Sequence, residues 1–234
     1  MFSIRLVDYN FCIENRYAYV EELCRDYITT GTEGKHIFVT DEEMAREEIP
    51  GEDYPASYEE STAIYRRICE LLIPEGVFML HASAVSIDGH GLLFTATSGT
   101  GKSTHAGIWK SVFEERVVII NDDKPLIKVG TNEITVYGTP WSGKHNLQTN
   151  TAAPVEALFL LERGDNNNVE QVTFRNAYPT VLNQAYRPKD TALMQNTLGM
   201  VNEFMKNVPV YRLKCNISDE AVWTAYSVLE DVEN

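Results

Sequence analysis

A chain of 234 residues fits one domain, or one domain with a modest extra lobe, and its 44% hydrophobic content suffices for a core. Lys plus Arg total 20 against 34 Asp plus Glu, a formal net charge of −14. That balance excludes the basic stripe of a nucleic-acid surface and anchoring on an anionic membrane, so any polyphosphate pocket must be locally cationic.

In chain order, Phe2, Ile4 and Leu6 alternate as in a strand, and Tyr19, Val20, Leu23, Cys24 and Tyr27 predict a short helix. Residues 41–60 carry nine acids against Arg46 alone, the composition of a solvated linker or helix face, with a docking surface as the lesser reading. Ile64, Tyr65, Ile68, Leu71 and Leu72 space an amphipathic helix over 56–72. Val77–Ile87 reads as one strand, Asp88-Gly89 as a hairpin turn and Gly91–Ala96 as the next strand. A helix from Lys102 carries Ala106, Trp109 and Phe113 on one face, and Val117–Ile120 has the apolar run of a central strand covered on both faces. Ile127–Val129 and Ile134–Tyr137 flank the hairpin turn Gly130-Thr131-Asn132, and Ala157–Leu161 is a buried strand. Helices are expected near 176–186 and 190–206, then a strand at Val210–Leu213. A last helix is capped by Ser218, with Asp219 and Glu220 at its positive end and Ala221, Val222, Ala225, Val228, Leu229 and Val232 as its stripe. This order predicts an α/β fold with a mixed sheet and flanking helices over 76–234, preceded by a small α+β lobe over 1–75.

Cys12, Cys24, Cys69 and Cys215 form no CxxC pair, and no basic segment with an apolar run opens the chain. Reduced thiols in a cytoplasmic protein are therefore expected, and the Asn216-Ile217-Ser218 glycosylation match is read as chance.

Ala96-Thr97-Ser98-Gly99-Thr100-Gly101-Lys102-Ser103-Thr104 lies between an apolar strand and a helix start. Small residues let backbone N–H groups converge on an anion, the helix adds its positive end, Lys102 reaches β- and γ-phosphates and Ser103 can ligate Mg²⁺. Thr97 through Thr104 are thus the candidate nucleotide-binding residues. Ala96 replaces the usual first glycine, a small change only where φ is negative. Asp122 and Asp123 follow an apolar strand, which suits one to hold Mg²⁺ and the other to take a proton. His81, by itself, reads as a hydrogen-bonded core residue. Gly138–His145 forms a tight loop in which Ser142 or Lys144 can face an acceptor or the γ-phosphate, and Trp141 reads as core. Arg163 and Arg187 are candidates for the cation that phosphoryl transfer needs near the equatorial oxygens.

From His81 to about Lys144, sharpest at LHASAV, SGTGKST and INDD, the sequence resembles the superfamily of HPr kinase/phosphorylase and phosphoenolpyruvate carboxykinase. ATSGTGKSTHAGIW, NDDKP, GTPWSGK, ALFLLERG and PVYRLKC also resemble small HPr-kinase-related proteins of unknown substrate found with peptide-modification or uncharacterised gene cassettes. The resemblance implies a P-loop (Walker A) fold like the HPr kinase C-terminal domain. It also implies His81 as metal ligand or phosphate contact, Asp123 as metal ligand with Ser103, and Asp122 as general base, with the order of the two acids reversible. The implied activity is an ATP-dependent kinase, using Mg²⁺ or Mn²⁺, acting on a hydroxyl of a peptide, protein or small molecule. Residues 1–75, outside the resemblance, are expected to recognise the acceptor, and relatives include monomers and larger assemblies. A small carboxykinase-like enzyme and a non-catalytic nucleotide-binding regulator are the alternatives. The chain is far shorter than a carboxykinase and lacks the carboxy-terminal segment of true HPr kinases, which weighs against HPr as substrate and against phosphorylase activity.

Overall fold

The computed structural model describes residues 1–31, 33–48, 51–97 and 99–230. They form two compact units, Met1–Glu75 and Gly76–Asn234. Ser98 and Val232, singled out in the sequence, lie outside the described residues. Among the described residues, no helix is long and apolar enough to cross a membrane.

In the first unit β1 (Phe2–Leu6) and β2 (Tyr9–Ile13) make an antiparallel hairpin, with Phe2, Ile4 and Leu6 buried as their alternation requires. Helix α1 (Ala18–Leu23) runs into a 3₁₀ turn at Arg25–Tyr27 and buries Val20, Cys24 and Tyr27. Strand β3 (Lys35–Ile37) adds to β2 in parallel. Helix α2 (Asp41–Ala45) is closed by a capping box between Thr40 and Glu43, and α3 (Ala56–Leu72) buries Ile64, Tyr65, Ile68 and Leu72. The solvated reading of 41–60 fails at its last residue. Glu60 is fully buried, and its carboxylate accepts the Arg16 N–H at 2.6 Å and the Tyr17 N–H at 3.1 Å. Those amides open α1 and have no helical partner of their own, so an acid from α3 satisfies them.

In the second unit the expected strand Val77–Ile87 is two strands, β4 (Val77–Met79) and β5 (Ser83–Ile87). The break follows from hydrogen bonding. The N–H groups of Leu80, His81 and Ala82 donate to the carbonyls of Pro125, Gln184 and Asp123, which takes them out of any single ladder. Next come β6 (His90–Thr95), α4 (Lys102–Phe113), β7 (Val117–Asn121), β8 (Leu126–Val129), β9 (Ile134–Tyr137) and β10 (Ala152–Arg163). Strand β11 (Asn168–Gln171), α5 (Phe174–Gln184), α6 (Thr191–Asn207), β12 (Val210–Cys215) and α7 (Asp219–Glu230) complete it.

Among the described residues, nine strands form one mixed sheet in the order β4-β8-β9-β10-β6-β5-β7, with β12 beside β10 and β11 beside β12. Strand β10 is its spine, pairing antiparallel with β9 through Ala152–Pro154 and parallel with both β6 and β12 further on. The prediction of β7 as a central strand is corrected, because it ends the sheet path and Val118 is 39% exposed. Its far side is closed by single groups, Lys110 Nζ on the Val117 carbonyl and Thr149 N–H on that of Ile120, so an apolar run misreads as central. The face under α4 and α7 buries Ala106, Trp109, Phe113, Val222, Ala225 and Val228 on Phe94 and Phe159, whose rings stack at 5.2 Å. Emptying the Trp109 site alone would cost about 3–5 kcal/mol.

Candidate active site

Strand β6 delivers the chain to Ala96, which is buried and outside the positive-φ region, so alanine suffices where a glycine is usual. Positive φ falls on the glycines instead, at 78° for Gly99 and 117° for Gly101. The loop turns its carbonyls toward protein donors. Lys102 Nζ donates to the Ala96 carbonyl at 3.4 Å, and the Thr100 N–H and hydroxyl donate to that of Thr97 at 3.3 and 2.8 Å. Arg163, at the end of β10, donates through Nε to the Thr100 carbonyl at 3.1 Å and also bonds the Gly99 carbonyl. Gly101 caps the twelve-residue α4 without a side-chain bond. Lys102 is 9% exposed, and burial lowers its pKa against the attraction of Asp123 and Asp122. Thr104 is exposed and Ser103 half-buried.

Strand β7 ends in a turn built by Asn121, which is fully buried. Its Oδ1 accepts the N–H groups of Asp123 and Lys124 at 2.9 and 2.7 Å. Its Nδ2 donates to the Thr139 carbonyl and hydroxyl, each at 3.0 Å, and to the Trp141 carbonyl at 3.3 Å. The turn that carries both acids is thereby fastened to the 138–145 loop. There Gly143, at φ 76°, lies so close that a Cβ would meet that of Asp123 at 3.1 Å.

The two acids face different partners. Asp122 is 4% exposed and its Oδ1 accepts the Ser83 hydroxyl at 2.7 Å. Burial raises its pKa, against hydrogen bonding from the Ser83 and Ser103 hydroxyls. Asp123 Oδ1 lies 2.7 Å from His81 Nε2, and its other oxygen pairs with Lys124. Burial would raise the Asp123 carboxyl, but the His81 bond and the Lys124 charge outweigh it and hold it at about 2. The far nitrogen of His81, Nδ1, sits 3.0 Å from Gln184 Oε1 at the end of α5. Ser103 thus faces Asp122 rather than Asp123, and His81 faces Asp123.

The other candidates are placed as follows. Ser142 is buried and bonds Gln148, Trp141 is buried, and Lys144 is exposed. Arg187 is exposed and donates to Asn183 at 3.2 Å, on the segment whose Gln184 holds His81. Sequence reasoning missed Ser83, Asn121 and Gln184. Ser83 stands two residues beyond His81 in LHASAV, a spacing that could have found it, whereas nothing in the sequence marks Gln184.

Behind the loop, His105 is 3% exposed and stacks edge-on against Phe94 at 4.8 Å. Its Nε2 accepts the Trp109 indole N–H at 3.0 Å. Indole only donates, so the imidazole proton sits on Nδ1, which is buried without a partner. Burial lowers the His105 pKa to about 4, and the ring is neutral near pH 7.

No curated protein matches the sequence at a significant level. Among solved structures, the Hpr(Ser) kinase/phosphatase from Coxiella burnetii aligns at 13% identity and a TM-score of 0.42, covering 67% of this chain and 99% of that one. The profile of a family described as SynChlorMet cassette protein ScmC matches residues 60–226. With most of its length inside that profile, including the 96–104 loop and the acid turn, the chain belongs to the ScmC family.

Proposed function

We propose that the Gly76–Asn234 unit binds ATP through the phosphate loop and transfers its γ-phosphoryl group to a hydroxyl, in the first instance a serine of a peptide or protein. The observation that carries this reading is the meeting of Ser103, at the start of α4, with Asp122, at the end of β7. Lys102, Thr100 and Arg163 occupy loop carbonyls, which leaves loop amides other than that of Thr100 for phosphate oxygens. Lys102 offsets charge on the transferring group.

Ser103 and Asp122 offer the hard oxygen donors that Mg²⁺ or Mn²⁺ prefers. Among the described residues no three or more His, Cys, Asp or Glu cluster to hold a metal, so phosphate oxygens and water would complete its shell. Such an ion would supply charge compensation at the β- and γ-phosphates. Asp123, oriented by His81, then faces the acceptor and takes its proton. The reverse order has one observation in its favour, the raised pKa of Asp122, which suits a base.

The acceptor-recognition role of residues 1–75 and a cytoplasmic location, to which the four free cysteines are suited, belong to the same proposal. The test is labelled-ATP transfer to neighbouring gene products, with Asp123→Asn and Asp122→Asn side by side. We expect Asp123→Asn to lower kcat about 100-fold or more at unchanged Mg²⁺ dependence, and Asp122→Asn to raise the Mg²⁺ requirement. The converse pattern would exchange the two roles, full turnover in both variants would remove both acids from the mechanism, and no transfer by the unaltered chain would end the kinase reading.

A further inference from the structure

The negative charge is unevenly placed along the chain. Residues 1–75 carry seven Lys and Arg against 17 Asp and Glu, a net −10, whereas residues 76–234 carry 13 against 17. In the Met1–Glu75 unit this excess accompanies an aromatic surface that its core does not bury.

Contacts link that surface from the end of β3 across α1 to α3. The Arg16 guanidinium lies over the Phe38 ring at 5.9 Å and pairs with Asp41. Glu60 of α3 holds the amides of Arg16 and Tyr17, which sets α3 against the start of α1. There Tyr19 lies within electrostatic reach of Tyr58, whose ring stacks on that of Tyr54 at 4.6 Å. Tyr17, Tyr19 and Phe38 are exposed, Phe38 to 48%, and Tyr54 and Tyr58 are half-buried. Every one of these rings has an acid within four residues: Asp41 after Phe38, Glu21 and Glu22 after Tyr17 and Tyr19, Asp53 before Tyr54 and Glu59 after Tyr58.

Tyrosine and phenylalanine present a large contact area that only two side-chain torsions need to fix, so they dock partners at low entropic cost. The interleaved carboxylates repel a nucleic acid, an anionic membrane and a second copy of the same unit, all of like sign. A ring with a carboxylate at hand suits a cation, which stacks on the one and pairs with the other. Arg16 already adopts this arrangement with Phe38 and Asp41.

We infer that this surface docks a cationic segment, arginine or lysine interleaved with apolar residues, of the peptide or protein that carries the acceptor hydroxyl. The assignment rests on the acceptor-recognition role proposed for residues 1–75.

Calorimetric titration of the full chain without nucleotide tests it, using a peptide of alternating arginine and leucine with one serine, and the same peptide with glutamate for arginine. The arginine peptide should bind about tenfold or more tighter than the glutamate peptide, and Tyr17→Ser or Phe38→Ser should each weaken it about fivefold. Both side chains are exposed, and serine is favoured at the N-cap of α1 that Tyr17 occupies, so the fold survives either change. Equal binding of the two peptides, or unchanged affinity in both variants, would overturn the docking surface. Self-association of the chain in sedimentation, abolished by Phe38→Ser, would give the surface to a second copy and overturn it as well. Docking is read apart from phosphoryl transfer, so the two can fail separately. Selective binding by a chain that transfers phosphate to no acceptor would uphold the surface and end the kinase reading. Transfer to a peptide or protein at a KM that neither variant moves would do the reverse.

Discussion

Between Ala96 and Gly101 the described residues owe their turn to two glycines at positive φ, and the carbonyls of Ala96, Thr97, Gly99 and Thr100 accept bonds from Lys102, Thr100 and Arg163. Between Asn121 and Lys124 the shape comes from side chains drawn from elsewhere, with Asn121 tying in the 138–145 loop, Ser83 reaching Asp122 and His81 reaching Asp123. A backbone-built site tolerates loss of a single side chain, because its conformational preferences are spread over several residues. A side-chain-built site concentrates its stability in one or two groups, and burial makes each of them expensive to lose.

The contrast is most exposed at Asn121. Asn121→Ala strips partners from two amides and two carbonyls at once and should lower the free energy of unfolding by about 4 kcal/mol in urea titration. A loss below about 1 kcal/mol would show that the turn is held by other means. The next effect separates the two regions by pH. His105, behind the loop, has its pKa lowered in the folded state, so the stability it supplies is complete above the unfolded value of 6.5 and is lost as pH falls toward 4. That limb should amount to roughly 3 kcal/mol and vanish in His105→Asn. Asp123, in the acid turn, acts lower: its contribution is present above 3.8 and lost as pH falls through about 2. Acid unfolding followed by circular dichroism should resolve the two windows, and a single limb below pH 4 would refute the buried neutral His105. The smallest effect belongs to the loop, where Thr100→Val removes the hydroxyl bond to the Thr97 carbonyl and should cost about 1 kcal/mol. A cost equal to that of Asn121→Ala would erase the distinction.

The same contrast explains what could be read from the sequence. SGTGKST is contiguous because backbone geometry is encoded locally, by glycines and by a helix start that a pattern displays. The adjacent acids and His81 were visible as residue types, but their pairing was not. The resemblance sets Ser103 with Asp123 and leaves the order of the two acids open, and sequence order does not reveal which carboxylate turns toward α4. Gln184 lies on a helix far along the chain, and only the break between β4 and β5 brings its carbonyl and side chain to His81. The apolar run of β7 predicted a strand correctly and its place in the sheet wrongly, since burial by single capping groups leaves the same composition as burial between strands.

Strand β10 also imposes an order on synthesis. The β5–β6 hairpin closes across Asp88-Gly89 as soon as residue 95 has emerged, but the other edge of β6 stays open until β10 arrives with Ala157–Leu160. Local pairs form early and distant ones wait on chain length, so the strand that leads into the 96–104 loop is half-paired through much of translation. Pulse-labelled amide exchange during refolding should protect the face of β6 toward β5 before the face toward β10, and simultaneous protection would show that the sheet closes in one step. A nascent chain released before residue 160 would carry the 96–104 segment on an open strand edge, ready to aggregate.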